Sequence, residues 1–152
     1  MPIAVPKLCV VSSLNFSERG RCFYKHQLFP RLNLMFEVLD PCRTEKKFTD
    51  RYEFIANAIV GSQLVLAVLD YPSIEVDIQR AIAAAATAKV AIEGYADDLR
   101  IPGYGLTIAQ AKARAKAEAI IGASGGQISS DLESLIEILR LRSNALFEEA
   151  KS

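Results

Sequence analysis

Four residues able to act as hydrogen-bond acceptors, bases or nucleophiles fall within eight positions: Asp70, Ser73, Glu75 and Asp77. They follow directly on an unbroken apolar run, Leu64 to Leu69, bounded by Gln63 before it and by Asp70 with Pro72 behind it. Such a run reads as a strand buried on both faces of a parallel sheet. Open α/β sheets hold their ligands beyond the carboxyl ends of their strands, because the helices that follow leave a crevice there. A second polar set, Ser12, Ser13 and Asn15, follows the shorter apolar run Lys7 to Val11. In the doubly wound strand order 2-1-3-4-5 the chain reverses direction between strands one and three, so the two sets face each other across one crevice. Hydroxyls and carboxylates converging in this way can grip a sugar or polarise a glycosidic bond. Taken singly, Asp70 and Asp77 serve equally well as turn and helix caps.

The remaining elements must position these residues. Ser17 caps a first helix that opens on Glu18, and Phe23, Leu28 and Leu32 share one face of it, although Pro30 should bend or divide it. Met35 to Leu39 reads as strand two, stopped by Asp40-Pro41, and Arg43 to Lys47 as a solvated loop. Thr49 or Asp50 caps a helix carrying Phe54, Ala58 and Ile59 at helical spacing. The segment from Ile78 to Ala88 is nearly all alanine and isoleucine, a helix built for close packing on the sheet. Lys89 to Ile92 reads as strand four, with Asp97, Asp98 and Arg100 beyond its carboxyl end. Pro102 to Gly105 is a turn-rich loop, and Thr107 caps a helix reaching Ile121, in which Arg114 and Glu118 can pair one turn apart. Its Lys112, Arg114 and Lys116 read as a solvated face before a phosphate site. Gln127-Ile128 is a short strand, and Ser130 with Glu133 forms a capping box for a last helix with Leu132, Leu135, Ile136 and Leu139 as its core stripe. Strands alternating with helices give a single α/β domain over 1–152, a doubly wound three-layer sandwich on a five-stranded parallel sheet in the flavodoxin- or Rossmann-like manner.

Composition narrows the function. Eighteen basic residues balance eighteen acidic ones, so no net field draws nucleic acid or an anionic membrane. The three cysteines, Cys9, Cys22 and Cys42, show no C-x-x-C spacing, and His26 is the only histidine. Reduced thiols and no metal site are the expectation. The first eleven residues lack a secretory pattern and the alanine run at 81–88 is far short of the ~20 residues of a membrane span, so a cytoplasmic protein is expected. Neither a phosphoacceptor acidic pair nor a glycine-rich phosphate loop stands after strand one, and no Walker or dinucleotide fingerprint occurs. No cofactor is expected.

The blocks themselves resemble a family. Lys7 to Ser13, Phe16-Ser17-Glu18 with Phe29 to Leu32, Phe36 to Pro41, Leu64 to Asp70, Asp98-Leu99-Arg100 and Ser124-Gly125-Gly126 together resemble the nucleoside 2-deoxyribosyltransferases and the related deoxynucleotide N-hydrolases over nearly the whole chain. The resemblance implies a small homo-oligomeric enzyme whose glutamate attacks C1′ of a 2′-deoxynucleoside and holds the sugar until a second base or water takes it. Ser12, Ser13, Asn15, Asp70, Ser73, Glu75 and Asp77 would then line the sugar pocket, with Asp97, Asp98 and Arg100 on the base or phosphate side.

The catalytic positions depart from the family pattern D-S-G-T-A-x-E-I-G-Y-A. Matching forward from Asp70 puts Glu75 at the sugar-contacting aspartate and Ala81 at the nucleophile, while matching back from Lys89 puts Arg80 there. The family's strand-one tyrosine falls at Cys9, and the aspartate that often opens the central strand falls at Gln63. Either Glu75 or Asp77 carries the chemistry on a reshaped loop, or the chain is an inactive member retained as a ligand-binding or partner subunit.

Overall fold

The computed structural model describes residues 5–12, 18–40, 48–69, 76–96 and 108–151. Five strands, β1 (Lys7–Val11), β2 (Glu37–Leu39), β3 (Leu64–Val68), β4 (Ala91–Tyr95) and β5 (Ile128–Ser129), form one parallel sheet in the order β2-β1-β3-β4-β5. The connecting helices are α1 (Glu18–Phe23), α2 (Phe29–Leu32), α3 (Phe48–Val60), α4 (Val76–Thr87), α5 (Ile108–Ala123) and α6 (Leu132–Lys151). Crossovers between parallel strands are right-handed, so the direction of travel decides which face each helix covers. From β1 to β2 the chain moves one way, and α1 and α2 lie on one face. From β2 onward it moves the other way, which sends α3, α4 and α5 to the opposite face.

Side-chain alternation in the strands feeds two separate cores. Leu8, Val10, Leu64, Leu66, Val68 and Tyr95 meet Phe23, Leu28 and Leu32 below and Leu135, Ile136 and Leu139 of α6. On the other face Cys9, Val11, Val65, Ala67 and Ile92 meet Ile55 and Ile59 of α3, Ala81, Ile82 and Ala85 of α4, and Ala117 and Ile121 of α5. All five residues of β3 are buried, as a strand flanked by β1 and β4 and covered on both faces must be.

Several local readings change. The first helix does divide near Pro30, but by widening: Tyr24–Leu28 is a π-helical stretch in which the Phe29 N–H donates to the Tyr24 carbonyl, five residues back. Pro30 has no N–H to continue the ordinary ladder and its ring crowds the preceding turn, so the extra residue absorbs the misfit. On α3 it is Ile55 and Ile59 that face the core, and Phe54 turns outward. Strand four runs Ala91–Tyr95, not Lys89 to Ile92, because Lys89 ends α4. The Val90 and Lys89 amides donate to the carbonyls of Ala85 and Ala86, and Lys89 takes φ 59°, the left-handed residue of a Schellman cap. Gly125, at φ 88°, closes α5 in the same way, with the Gly126 and Gly125 amides on Ile121 and Gly122. The capping box is replaced as well. Asp131 caps α6, taking the Ser134 N–H at 2.8 Å and the Ser134 hydroxyl at 2.8 Å, and Glu133 reaches away to Arg31 after α1.

Candidate functional site

The crevice required by the strand order lies beyond the carboxyl ends of β1 and β3, neighbours from which the chain leaves in opposite directions along the sheet, and the described residues build its base. Register pairs Val11 with Ala67, which brings Ser12 beside Val68; Val68 pairs with Tyr95, and Tyr95 with Ser129. Ser12, Val68, Tyr95 and Ser129 therefore form a row across the sheet's carboxyl edge, and alternation puts all four on the face covered by α1 and α6. The row is buried, with exposures of 3%, 2%, 1% and 5%. Backbone bonds hold the edge in place: the Leu69 N–H donates to the Tyr95 carbonyl at 2.7 Å and the Ala96 N–H to the Ser129 carbonyl at 2.9 Å. Phe23 of α1 stacks on Tyr95 with ring centroids 6.1 Å apart and planes 8° from parallel, which seals the row from above.

Of the residues singled out in the sequence, Ser12 stands at the end of β1 as expected, and Asp77 lies in the first turn of α4, which begins seven residues after Leu69. The side chain of Asp77 lies outside the described residues, as do Ser13, Asn15, Asp70, Ser73, Glu75, Asp97, Asp98 and Arg100. Ala81, at the family's nucleophile position in one match, is fully buried in the α4 core, and Arg80, from the other match, is exposed. Among the described residues no group of three metal-binding side chains occurs, and no helix is long and apolar enough to cross a membrane.

Sequence reading missed the polar centre of the same face. Glu93, on β4 between Ala91 and Tyr95, is 2% exposed. Its carboxylate accepts the Gln127 N–H at 3.0 Å and the Arg142 Nε–H at 2.9 Å, and Arg142 Nη2 lies 2.9 Å away in the same ion pair. This pair ties α6 to the middle of the sheet one layer beneath the Tyr95 row. The signal was an acid inside an apolar strand, whose cost demands a partner; the partner, Arg142, is 49 residues away. Tyr95 and Ser129 escape for a simpler reason: they lie just past the strands read as Lys89 to Ile92 and Gln127-Ile128, whose observed ends are Tyr95 and Ser129.

No family model matches the chain, and no curated protein does. Among solved structures, the fold is similar to that of a conserved protein from Enterococcus faecalis V583, with a TM-score of 0.70 and 17% identity over 91% of this chain and 99% of that one. At that identity the likeness is one of fold.

Proposed function

We propose that the chain is a nucleoside 2-deoxyribosyltransferase-like protein that acts on, or binds, the N-glycosidic bond of (deoxy)nucleosides or nucleotides, as a cytoplasmic homo-oligomer. The observation that supports it most is the strand order β2-β1-β3, with Ser12 buried at the carboxyl end of β1 and α4 starting a short stretch after β3. In this reading Glu75, between β3 and α4, and Asp77, in the first turn of α4, serve the crevice beside Ser12. Glu75 is the nucleophile or base of this reading, and Asp77 its neighbour on the sugar. The test is to mix the protein with a 2′-deoxynucleoside and a second free base and to look for exchanged nucleoside or released base by chromatography. Turnover that Glu75→Gln abolishes, with the unfolding midpoint unchanged, supports the assignment. A loss in Asp77→Asn alone moves the role to Asp77, and folded protein that neither turns over nor binds purine or pyrimidine deoxynucleosides refutes the reading.

One observation favours a second version, an inactive member that binds ligand or completes an oligomer. Ala81, the gap-free counterpart of the family nucleophile, is fully buried beneath α4 and points into the sheet-facing core rather than the crevice. Binding without turnover in the same assay selects this version.

A further inference from the structure

The α4–α5 seam and the outer side of α6 carry features that neither the core nor the crevice uses. Two cavities, about 210 Å³ and about 580 Å³, lie along the seam with Ile120 lining both, and together they mark a furrow between the helices. Its floor is small and apolar, with Ala83 and Ala117 from facing helices, and its charged lining residues among those described are Arg80, Lys116 and Lys89, all cations. In a chain of zero net charge that is a one-sided surface. On α6 a second apolar stripe, Ile138, Leu141 and Ala145, runs beside the core stripe at i, i+3, i+7 spacing, and Leu141 is 61% exposed. Glu137 and Glu148 border this stripe on the side away from the core.

We infer that α6 of one copy docks its Ile138–Leu141–Ala145 stripe in the α4–α5 furrow of a second copy, with Glu137 and Glu148 beside Arg80, Lys116 and Lys89. Charge is complementary along the contact, and alanine floors let a third helix approach closely while Leu141 fills the space they leave. The lengths agree: α4 has 12 residues and so spans about 18 Å, and Ile138 to Glu148 rises about 15 Å. The Glu137–Arg140 pair within α6, at 2.9 Å, is an exposed pair of little worth and does not hold Glu137 back. The furrow and the stripe lie on opposite faces of the sheet, so the contact is heterologous: it joins copies head to tail and closes into a ring or extends as a filament.

A capping experiment tests this without any nucleoside, so its outcome is separate from that of the catalytic reading. Leu141→Glu removes the inserting stripe, and Ala83→Glu with Lys116→Glu blocks the furrow; both changes fall on exposed positions, and circular dichroism with urea unfolding verifies that each variant is folded. By light scattering, the wild type should grow with concentration beyond the 16.7 kDa monomer, and added salt should reverse the growth. Each variant alone should remain monomeric, and an equimolar mixture should form a species of two copies and stop there, because one intact furrow meets one intact stripe. A wild type that stays monomeric at all concentrations overturns the inference. So does assembly that the variants leave unchanged, and so does a dimer lost in Leu141→Glu that mixing fails to restore, which marks a symmetric contact instead.

Discussion

Removing the Arg142 guanidinium leaves Glu93 buried with one hydrogen bond, from Gln127 N–H, where it had two and an ion pair. Breaking a buried ion pair by deleting one partner typically costs about 3–5 kcal/mol, because the remaining charge has lost its solvent and its counter-ion together. Two features moderate that figure. The Arg142 side chain is 38% exposed, so water can enter the space it vacates, and the Gln127 amide still holds one carboxylate oxygen. Arg142→Met keeps the aliphatic stem over the sheet and should therefore cost about 2–3 kcal/mol, or roughly 4–12 °C in melting temperature for a domain of this size. Urea unfolding of wild type, Arg142→Met, Glu93→Leu and the double variant closes a thermodynamic cycle. The double variant should recover much of the loss, since an apolar pair needs neither solvent nor a counter-charge. A loss under about 1 kcal/mol in Arg142→Met, at unchanged denaturant slope, would mean that Glu93 remains hydrated and that α6 is held by its apolar stripe alone.

Four other substitutions test the backbone and the caps. Lys89→Gly should raise stability by roughly 0.5 kcal/mol, because relief of the left-handed strain at φ 59° outweighs the added freedom of the unfolded chain and the lost charge at the helix end; Gly125→Ala, at φ 88°, should lose about 1 kcal/mol in the same urea assay. Gly126→Ala should cost about 3 kcal/mol or more, since its Cβ would stand 1.9 Å from the Ile92 carbonyl oxygen and only a shift of backbone could make room; wild-type stability in that variant would show that the α5–β5 turn is loosely joined to β4. On the acid side, hydrogen bonds from Ser134 hold the Asp131 carboxyl below its ordinary value, and the Arg31 hydrogen bond does the same for Glu133. Their support is complete above the ordinary carboxylate range near pH ~4 and disappears as pH falls through the lowered folded values. Asp131→Asn keeps a capping oxygen without the titration, so its urea midpoint should fall less steeply than that of the wild type below that range; parallel curves would place the acid sensitivity elsewhere.

The architecture was legible because its signals are local. The Leu64–Leu69 run, the alanine-rich α4 and the Leu135–Ile136–Leu139 stripe each carry their periodicity within a dozen residues, and the strand order is one of the common ones for alternating strands and helices. Boundaries were harder wherever a residue sits against its usual preference. Lys89 reads as the start of a strand and is in fact a helix cap, because the Schellman geometry accepts a lysine at a position that usually takes glycine. Glu133 reads as half of a capping box, and it is claimed by Arg31, 102 residues away. Glu93 falls just past the strand read as Lys89 to Ile92, and its burial is matched by Arg142 and Gln127, which meet it from two distant segments. At the candidate site the same limit applies: Ser12 could be placed from its own strand, whereas the row it shares with Tyr95 and Ser129 depends on four strands in register.

The two faces of the sheet divide the labour. Under α3, α4 and α5 the core is apolar and rich in alanine, with Ala67, Ala81, Ala85, Ala96 and Ala117 letting the helices lie close to the strands. Nothing in that layer calls for a buried charge, and what it offers the outside is a shallow furrow rather than a pocket. Under α1 and α6 the core holds the large side chains together with the buried polar ones, Ser12, Glu93, Tyr95 and Ser129. Burying such groups costs free energy unless each is matched, so a core that served packing alone would be more stable without them. Glu93 is matched by Arg142 and Gln127 and fastens α6. At the carboxyl edge Tyr95 packs against Phe23 of α1, whereas Ser129 Oγ makes no hydrogen bond among the described residues. A buried hydroxyl without a protein partner, set where a parallel sheet holds its ligands, is the physical reason to look for chemistry at this edge.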